Sequence, residues 1–249
     1  MDLEMIGIGA TAKVYRDGDV AIKLYDNSSV FEVEGEAKLQ TYAMETGLPV
    51  PEIFGVKRVD TNQVVLEMVC VAGIPLLNEE MGQEEILKQL RILVKLQCDI
   101  HAKDAQMLPK QKDRLTKKIN QNPDLEDEIK NQIFTLLDKL DDGTLQLCHG
   151  DFHPLNVLFD GKKHWIIDWV DATAGNPLAD ACRTYILLKQ FATQLSVVYL
   201  SCFCEEVGVS SEAILAWLPI IIAARLSEDM DDNARKMLMN LLQDALERI

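Results

Sequence analysis

A chain of 249 residues with 48% hydrophobic side chains can bury a substantial core, as one large domain or as two lobes sharing a cleft. Its 40 acidic and 25 basic residues leave a formal charge of −15, which excludes nucleic acid and anionic membrane from the expected partners. The same charge would attract a cationic ligand, although a solvated acidic surface accounts for it equally simply. The acidic start MDLEM carries no secretory signal, and the longest apolar run, AILAWLPIIIAA, contains Pro219 and is too short to span a bilayer. The six cysteines are scattered with no CxxC pair, so a cytoplasmic protein with free, buried thiols is expected.

Taken in order, roughly the first 65 residues read as strands with one helix. EMIGIGATAKVYRDGDVAIKLY holds two β-type runs joined by Asp17-Gly18, a hairpin signal. VEGEAKLQTYAMETG reads as a helix that stops at Gly47, and NQVVLEMVCV as another apolar strand. From Gly73 onward helical patterns dominate: Glu84 to Ala102, Leu125 to Leu140, Pro177 to roughly Val207, Ser211 to Leu226, and Asn233 to the end. These predict an α+β chain with a β-rich lobe over 1–70 and a larger, mainly helical lobe over 71–249.

One stretch of the helical half breaks the pattern: HGDFHPLNVLFDGKKHWIIDW, from His149 to Trp169. Apolar residues on both sides of Asp160-Gly161 predict a tight hairpin, with Phe159 facing Lys162 and Asn156 facing Trp165. Such a hairpin gathers Asp151, Asn156 and Asp168 at its open end. Burying carboxylates costs several kcal/mol unless a cation or donors satisfy them. A Mg²⁺ ion held by one carboxylate and one amide oxygen, completed by phosphate oxygens, meets that need. The amino-terminal stretch offers a second half to a phosphate site. Gly7 and Gly9 let backbone approach phosphates closely, and Lys23 in VAIKLY shares a strand face with the small Ala21. Alone, each of these reads equally well as an ordinary turn or an edge-strand lysine.

Together the pieces resemble the aminoglycoside phosphotransferase and choline kinase family, which has a bilobal protein-kinase-like fold. The resemblance runs from Gly7 to Asp180. It is carried by the HxDxxxxN pattern of His149, Asp151 and Asn156, by Asp168 in IIDW, and by VAIK, the Gly-rich turn, LPVPEIFG and VLEMVCVAGIPL. Several features separate the chain from protein kinases. Ala12 replaces the third loop glycine, Asp168-Trp169-Val170 replaces DFG, no APE motif follows, and His153 stands where protein kinases carry a lysine. No GxxxxGK[ST] is present.

The resemblance implies an ATP-dependent O-phosphotransferase, with GTP left open as donor. In that reading Asp151 accepts the acceptor hydroxyl, Asn156 and Asp168 hold Mg²⁺, and Lys23 meets the phosphates. Glu36 orients Lys23, with Glu34 and Glu32 as alternatives. Gly7 and Gly9 cover the phosphates, and hinge backbone at Glu67 and Val69 meets the base. His149 and His101 read as core packing, and Asp180 as support for the catalytic loop. The expected partner is a small, cationic acceptor, an aminoglycoside first and choline, ethanolamine or a sugar next. The reason is acid placement: Asp171, Glu228, Asp229, Asp231 and Asp232 form a possible acceptor wall, against the plainer alternative of helix capping. A catalytically inactive nucleotide-binding module is the competing reading; it usually lacks one of Lys23, Asp151, Asn156 and Asp168, and all four are present here.

Overall fold

The structure is a computed structural model that describes residues 3–9, 11–78 and 80–247. Its elements run β1 (Glu4–Ile8), β2 (Ala12–Asp17), β3 (Val20–Asp26), α1 (Val30–Glu45), β4 (Ile53–Asp60), β5 (Gln63–Val69), β6 (Ile74–Pro75) and α2 (Gln83–His101). They continue as α3 (Gln111–Gln121), α4 (Asp127–Leu140), β7 (Gln146–Cys148), a 3-10 turn at Pro154–Asn156, β8 (Val157–Phe159) and β9 (His164–Ile166). The carboxy-terminal part comprises β10 (Thr173–Gly175), α5 (Pro177–Phe191), α6 (Thr193–Val207), α7 (Ser211–Leu215), α8 (Leu218–Arg225) and α9 (Asp232–Leu246). The chain forms two compact units, Met1–Glu80 with Pro154–Asp171, and Met81–His153 with Ala172–Ile249.

In the first unit, strands β1 to β5 make one antiparallel sheet in the order β1-β2-β3-β5-β4. The opening stretch therefore holds three strands where two β-type runs were expected. The added turn lies at Gly9, whose N–H donates to Ala12 O at 2.8 Å. Helix α1 starts at a capping box: Ser29 Oγ accepts from the Glu32 N–H and Glu32 returns a carboxylate to the Ser29 N–H. Its Val33 packs in the sheet core with Ala12, Tyr25, Val64 and Leu66. Strand β4 lies where the sequence showed only a helix exit; IFGVKRVD is mostly exposed or half-buried and lacks an apolar alternation to announce it.

A second sheet in this unit, β6-β8-β9, contains the predicted hairpin. Its register differs from the expected one by two residues: Phe159 faces His164 and Leu158 faces Trp165. The cause is Asp160. Its carboxylate accepts from the Lys162 and Lys163 N–H groups and from Trp165 Nε1 at 2.7 Å, which opens a loop over residues 160–163. Gly161 sits in that loop at φ +89°, a conformation that favours glycine. A shift of two keeps every side chain on its expected face. The hairpin joins the amino-terminal unit through Ile74–Phe159 pairing and an Ile166 N–H to Pro49 O hydrogen bond of 2.8 Å. These bonds explain why the compact units do not divide at the expected 70/71 boundary.

Among its described residues, the regular structure of the second unit is helical apart from the β7–β10 pair, in which Cys148 faces Thr173. Helix α5 opens on Asn176, whose side chain caps the Leu178 N–H, followed by Pro177. The helix expected over 177 to about 207 is two helices, parted at Ala192, where φ is −159° and no glycine or proline marks the break. The segment 211–226 also divides, before Pro219 in the first turn of α8. Helix α3 was not expected: QKDRLTKKINQ is largely polar or charged and buries only Leu115 and Ile119. Among the described residues no single helix is long and apolar enough to cross a membrane.

Candidate active site

In the first unit, β3 directs Lys23 onto two carboxylates. Its Nζ lies 2.7 Å from Glu36 Oε1 and 3.0 Å from Asp168 Oδ1. Burial pushes the ammonium toward its neutral form, but Asp168 and then Glu36 outweigh that and hold its pKa above the ordinary lysine value. Of the three candidate glutamates, the structure places Glu36 on Lys23, while Glu32 closes the helix cap. Tyr25, two residues along the same strand face, donates its hydroxyl to Glu36 Oε2 at 2.6 Å. The Glu36 carboxylate is thereby fixed at both oxygens.

Asp168 follows β9 with φ +64°, in the left-handed region that few non-glycine residues adopt. Aspartate and asparagine tolerate it better than most side chains, and such positions cluster at functional sites. The Ile167 N–H donates to Asn156 O at 3.0 Å, so the hairpin brings the backbone of Asn156 beside the residue preceding Asp168. A carboxylate and an amide, both oxygen donors, suit a hard divalent cation that keeps other ligands from phosphates or water. Gly7 pairs with Val14 beside a β1 irregularity, and Gly9 forms the adjoining turn.

Glu67 and Val69, the expected hinge residues, lie in β5, the strand read in NQVVLEMVCV. Glu67 sits within β5, paired with both Ile22 and Gly55, and its side chain meets Lys57 at 2.5 Å. The Val69 N–H donates to Glu52 O at 2.8 Å. The Val69 amide is thereby engaged within the sheet.

In the second unit, the β7 strand delivers His149, Gly150 and Asp151. Gly150 has φ +81° and turns the chain so that consecutive amides converge on Asp180. Asp180 Oδ1 accepts from the Gly150 N–H at 2.8 Å, and Oδ2 accepts from the His149 N–H at 3.4 Å and sits 2.9 Å from His101 Nε2. Burial pushes the Asp180 carboxyl up, but the His101 contact and these donors hold it below the ordinary carboxylate range. His101 is therefore a polar partner of Asp180 as well as a core residue.

The Asp151 carboxylate lies between His153 Nε2, 3.4 Å from Oδ2, and Arg183 Nη2, 3.3 Å from Oδ1. Burial opposes its charge, yet the His153 hydrogen bond and the Arg183 guanidinium hold its pKa well below the carboxylate range. Sequence reasoning missed Arg183. It lies one helical turn after Asp180 in α5, so it shares that residue's face, and this spacing is the signal that locates it.

Two of the acids weighed as an acceptor wall or as helix caps, Glu228 and Asp231, have partners within the chain. Glu228 is bound by Lys118 at 2.8 Å, by Arg183 at 2.9 Å and by Arg225. Burial raises its pKa, but these cations, Arg183 foremost, bring it down to about 2. Asp231 caps α9 by accepting from the Asn233 and Ala234 N–H groups. Neither carboxylate is a bare wall for a cationic acceptor.

With the geometry in place, comparison with known proteins defines the class. Solved structures of similar fold include a thermostable mutant of aminoglycoside phosphotransferase APH(4)-Ia in ternary complex with AMP-PNP and hygromycin B, 16% identical. That alignment covers 99% of this chain and 93% of the other, with a TM-score of 0.71. Choline kinase LicA from Streptococcus pneumoniae is 15% identical over 100% of this chain and 94% of its own, with a TM-score of 0.68. A GDP and kanamycin complex of APH(2")-IIia is 15% identical over 99% of this chain and 93% of its own, with a TM-score of 0.66. The fold is mixed α+β and protein-kinase-like, an amino-terminal antiparallel sheet followed by a larger helical part, as in small-molecule kinases. A model of the phosphotransferase enzyme family matches residues 2–200, and the chain belongs to that family. No curated protein sequence matches it significantly.

Proposed function

We propose that the protein transfers the γ-phosphoryl group of ATP, with GTP as the alternative donor, to a hydroxyl of a small molecule in a Mg²⁺-dependent reaction. The carrying observation is Lys23 clamped between Glu36 and Asp168, a cation built onto a rigid strand next to a glycine turn. In this reading Lys23 meets the donor's phosphates, Glu36 orients Lys23, and Gly7 and Gly9 let the backbone come close to them. Asn156 and Asp168 would hold Mg²⁺, which when bound neutralises charge on the β- and γ-phosphates.

Asp151 accepts the hydrogen bond of the acceptor hydroxyl. The hydroxyl oxygen forms the new P–O bond, the bond to the β–γ bridging oxygen breaks with its electron pair leaving on ADP, and the proton passes late to Asp151. A carboxylate with so low a pKa is a weak base, which suits a loose transition state in which orientation outweighs proton abstraction.

Hygromycin B and kanamycin in two of the similar structures support an aminoglycoside acceptor, and choline kinase LicA supports an amino alcohol. Of the acids that favoured a cation in the sequence, Glu228 is held by Lys118, Arg183 and Arg225 and Asp231 caps α9, so the support from that pattern rests on Asp171, Asp229 and Asp232. A cytoplasmic setting, where ATP and Mg²⁺ are plentiful, fits the same reading. Calorimetry tests the donor half: wild type binds Mg-ATP, and Lys23→Ala weakens binding roughly tenfold or more, as expected for losing a charge-assisted phosphate contact. Equal affinity in the two proteins removes Lys23 from the nucleotide site.

A further inference from the structure

Helix α5 presents a template to the catalytic loop. Its side chains at Asp180, Arg183 and Thr184, spaced i, i+3 and i+4, face the loop together. Asp180 takes the amides of His149 and Gly150, Thr184 Oγ1 donates to Phe152 O at 2.8 Å, and Arg183 reaches the side chain between them, Asp151. Each residue from 149 to 152 is thus held by this helix, and among these three template side chains only Arg183 is bonded to the carboxylate assigned to the acceptor hydroxyl.

We propose that Arg183 is a positioning residue for phosphoryl transfer, acting in a relay Asp151–Arg183–Glu228 that fixes where the Asp151 carboxylate points. The proposal rests on reading Asp151 as the group that meets the acceptor. Two observations separate it from a purely structural ion pair. Arg183 is only 8% exposed, and a buried guanidinium needs a carboxylate partner; Glu228 alone supplies that. Glu228, conversely, already has Lys118 and Arg225, so it does not need Arg183 for neutrality. The contact that neither balance explains is the second one, from the same Nη2 to Asp151 Oδ1. Arg183 also places a permanent cation beside the base, where His153 stands in sequence in place of a kinase lysine.

The test uses the full chain, Mg-ATP as donor and water as the sole acceptor, with ADP release as the readout. Arg183→Gln lowers kcat about 10–100-fold, the scale of a small misplacement of a reacting group, while the calorimetric Kd for Mg-ATP changes less than about twofold. Arg183→Lys recovers part of the loss, since it restores charge without the planar fork. Glu228→Gln lowers kcat about three- to tenfold, and the double variant is no slower than Arg183→Gln, because residues acting through one relay are not additive. An unchanged kcat in Arg183→Gln overturns the relay, as does simple addition of the two losses in the double variant. Should Arg183→Gln fail to fold, the isosteric Glu228→Gln decides, and an unchanged kcat there overturns it. A wild type that binds no Mg-ATP fails the parent reading instead, a result distinct from any of these.

Discussion

Asp151→Asn abolishes phosphoryl transfer while nucleotide binding survives. Losing a positioned acid–base group costs about 10²–10⁴-fold in turnover. Asparagine preserves the volume and removes the charge that His153 and Arg183 converge on. Arg183 keeps Glu228 as a partner, so the buried guanidinium is not stranded and the fold is expected to hold. The residues proposed to meet the donor, Lys23 and Asp168, lie in the other compact unit and keep their own ion pair. Turnover by ADP release together with Mg-ATP calorimetry checks this. A variant that turns over within about threefold of wild type removes Asp151 from the reaction.

Asp168→Asn raises the Mg²⁺ concentration needed for activity and, at fixed Mg²⁺, lowers turnover by about 10²-fold, on the scale of deleting one preorganised electrostatic stabiliser. Asparagine is the informative choice because it tolerates the left-handed backbone that Asp168 adopts at φ +64°. The substitution therefore isolates the carboxylate's charge from any backbone rearrangement. Lys23 retains Glu36, so its ammonium stays paired. Asn156→Ala affects the Mg²⁺ dependence less, since an amide offers a metal only a dipole. Rate measured against Mg²⁺ concentration for both variants decides the order. An unchanged Mg²⁺ dependence in Asp168→Asn rules out its role as metal ligand.

What the sequence revealed follows from how locally each feature is encoded. The helix start at Pro177 and the turn at Asp17-Gly18 are written in a few adjacent residues, and each was legible, whereas the equally local α1 cap at Ser29 and Glu32 went unread. The hairpin was legible in its faces but not in its register, because the register depends on one carboxylate, Asp160, gathering three donors. Strand β4 and helix α3 were hidden for a different reason: neither carries an apolar pattern strong enough to stand out from its charges.

The same distinction runs through the site. Lys23, Asp151, Asn156 and Asp168 stand in recognisable spacings, whereas some of the contacts in and around the site join residues far apart along the chain. Arg183 reaches Asp151 across 32 residues, and Lys118 reaches Glu228 across 110. Counting acids near residue 228 suggested a surface for a cation. Only the packed structure shows that three basic side chains already occupy that carboxylate. Sequence likewise does not reveal which strand amides a sheet uses internally: Val69 donates its own to Glu52.

Transfer of the γ-label from [γ-³²P]ATP to a panel of aminoglycosides, choline, amino alcohols and sugars measures the central claim directly. The account predicts Mg²⁺-dependent label in at least one organic acceptor with wild type, and its loss with Asp151→Asn. Label that stays in ATP or appears only as inorganic phosphate with every acceptor, or that reaches an acceptor equally well with Asp151→Asn, contradicts it.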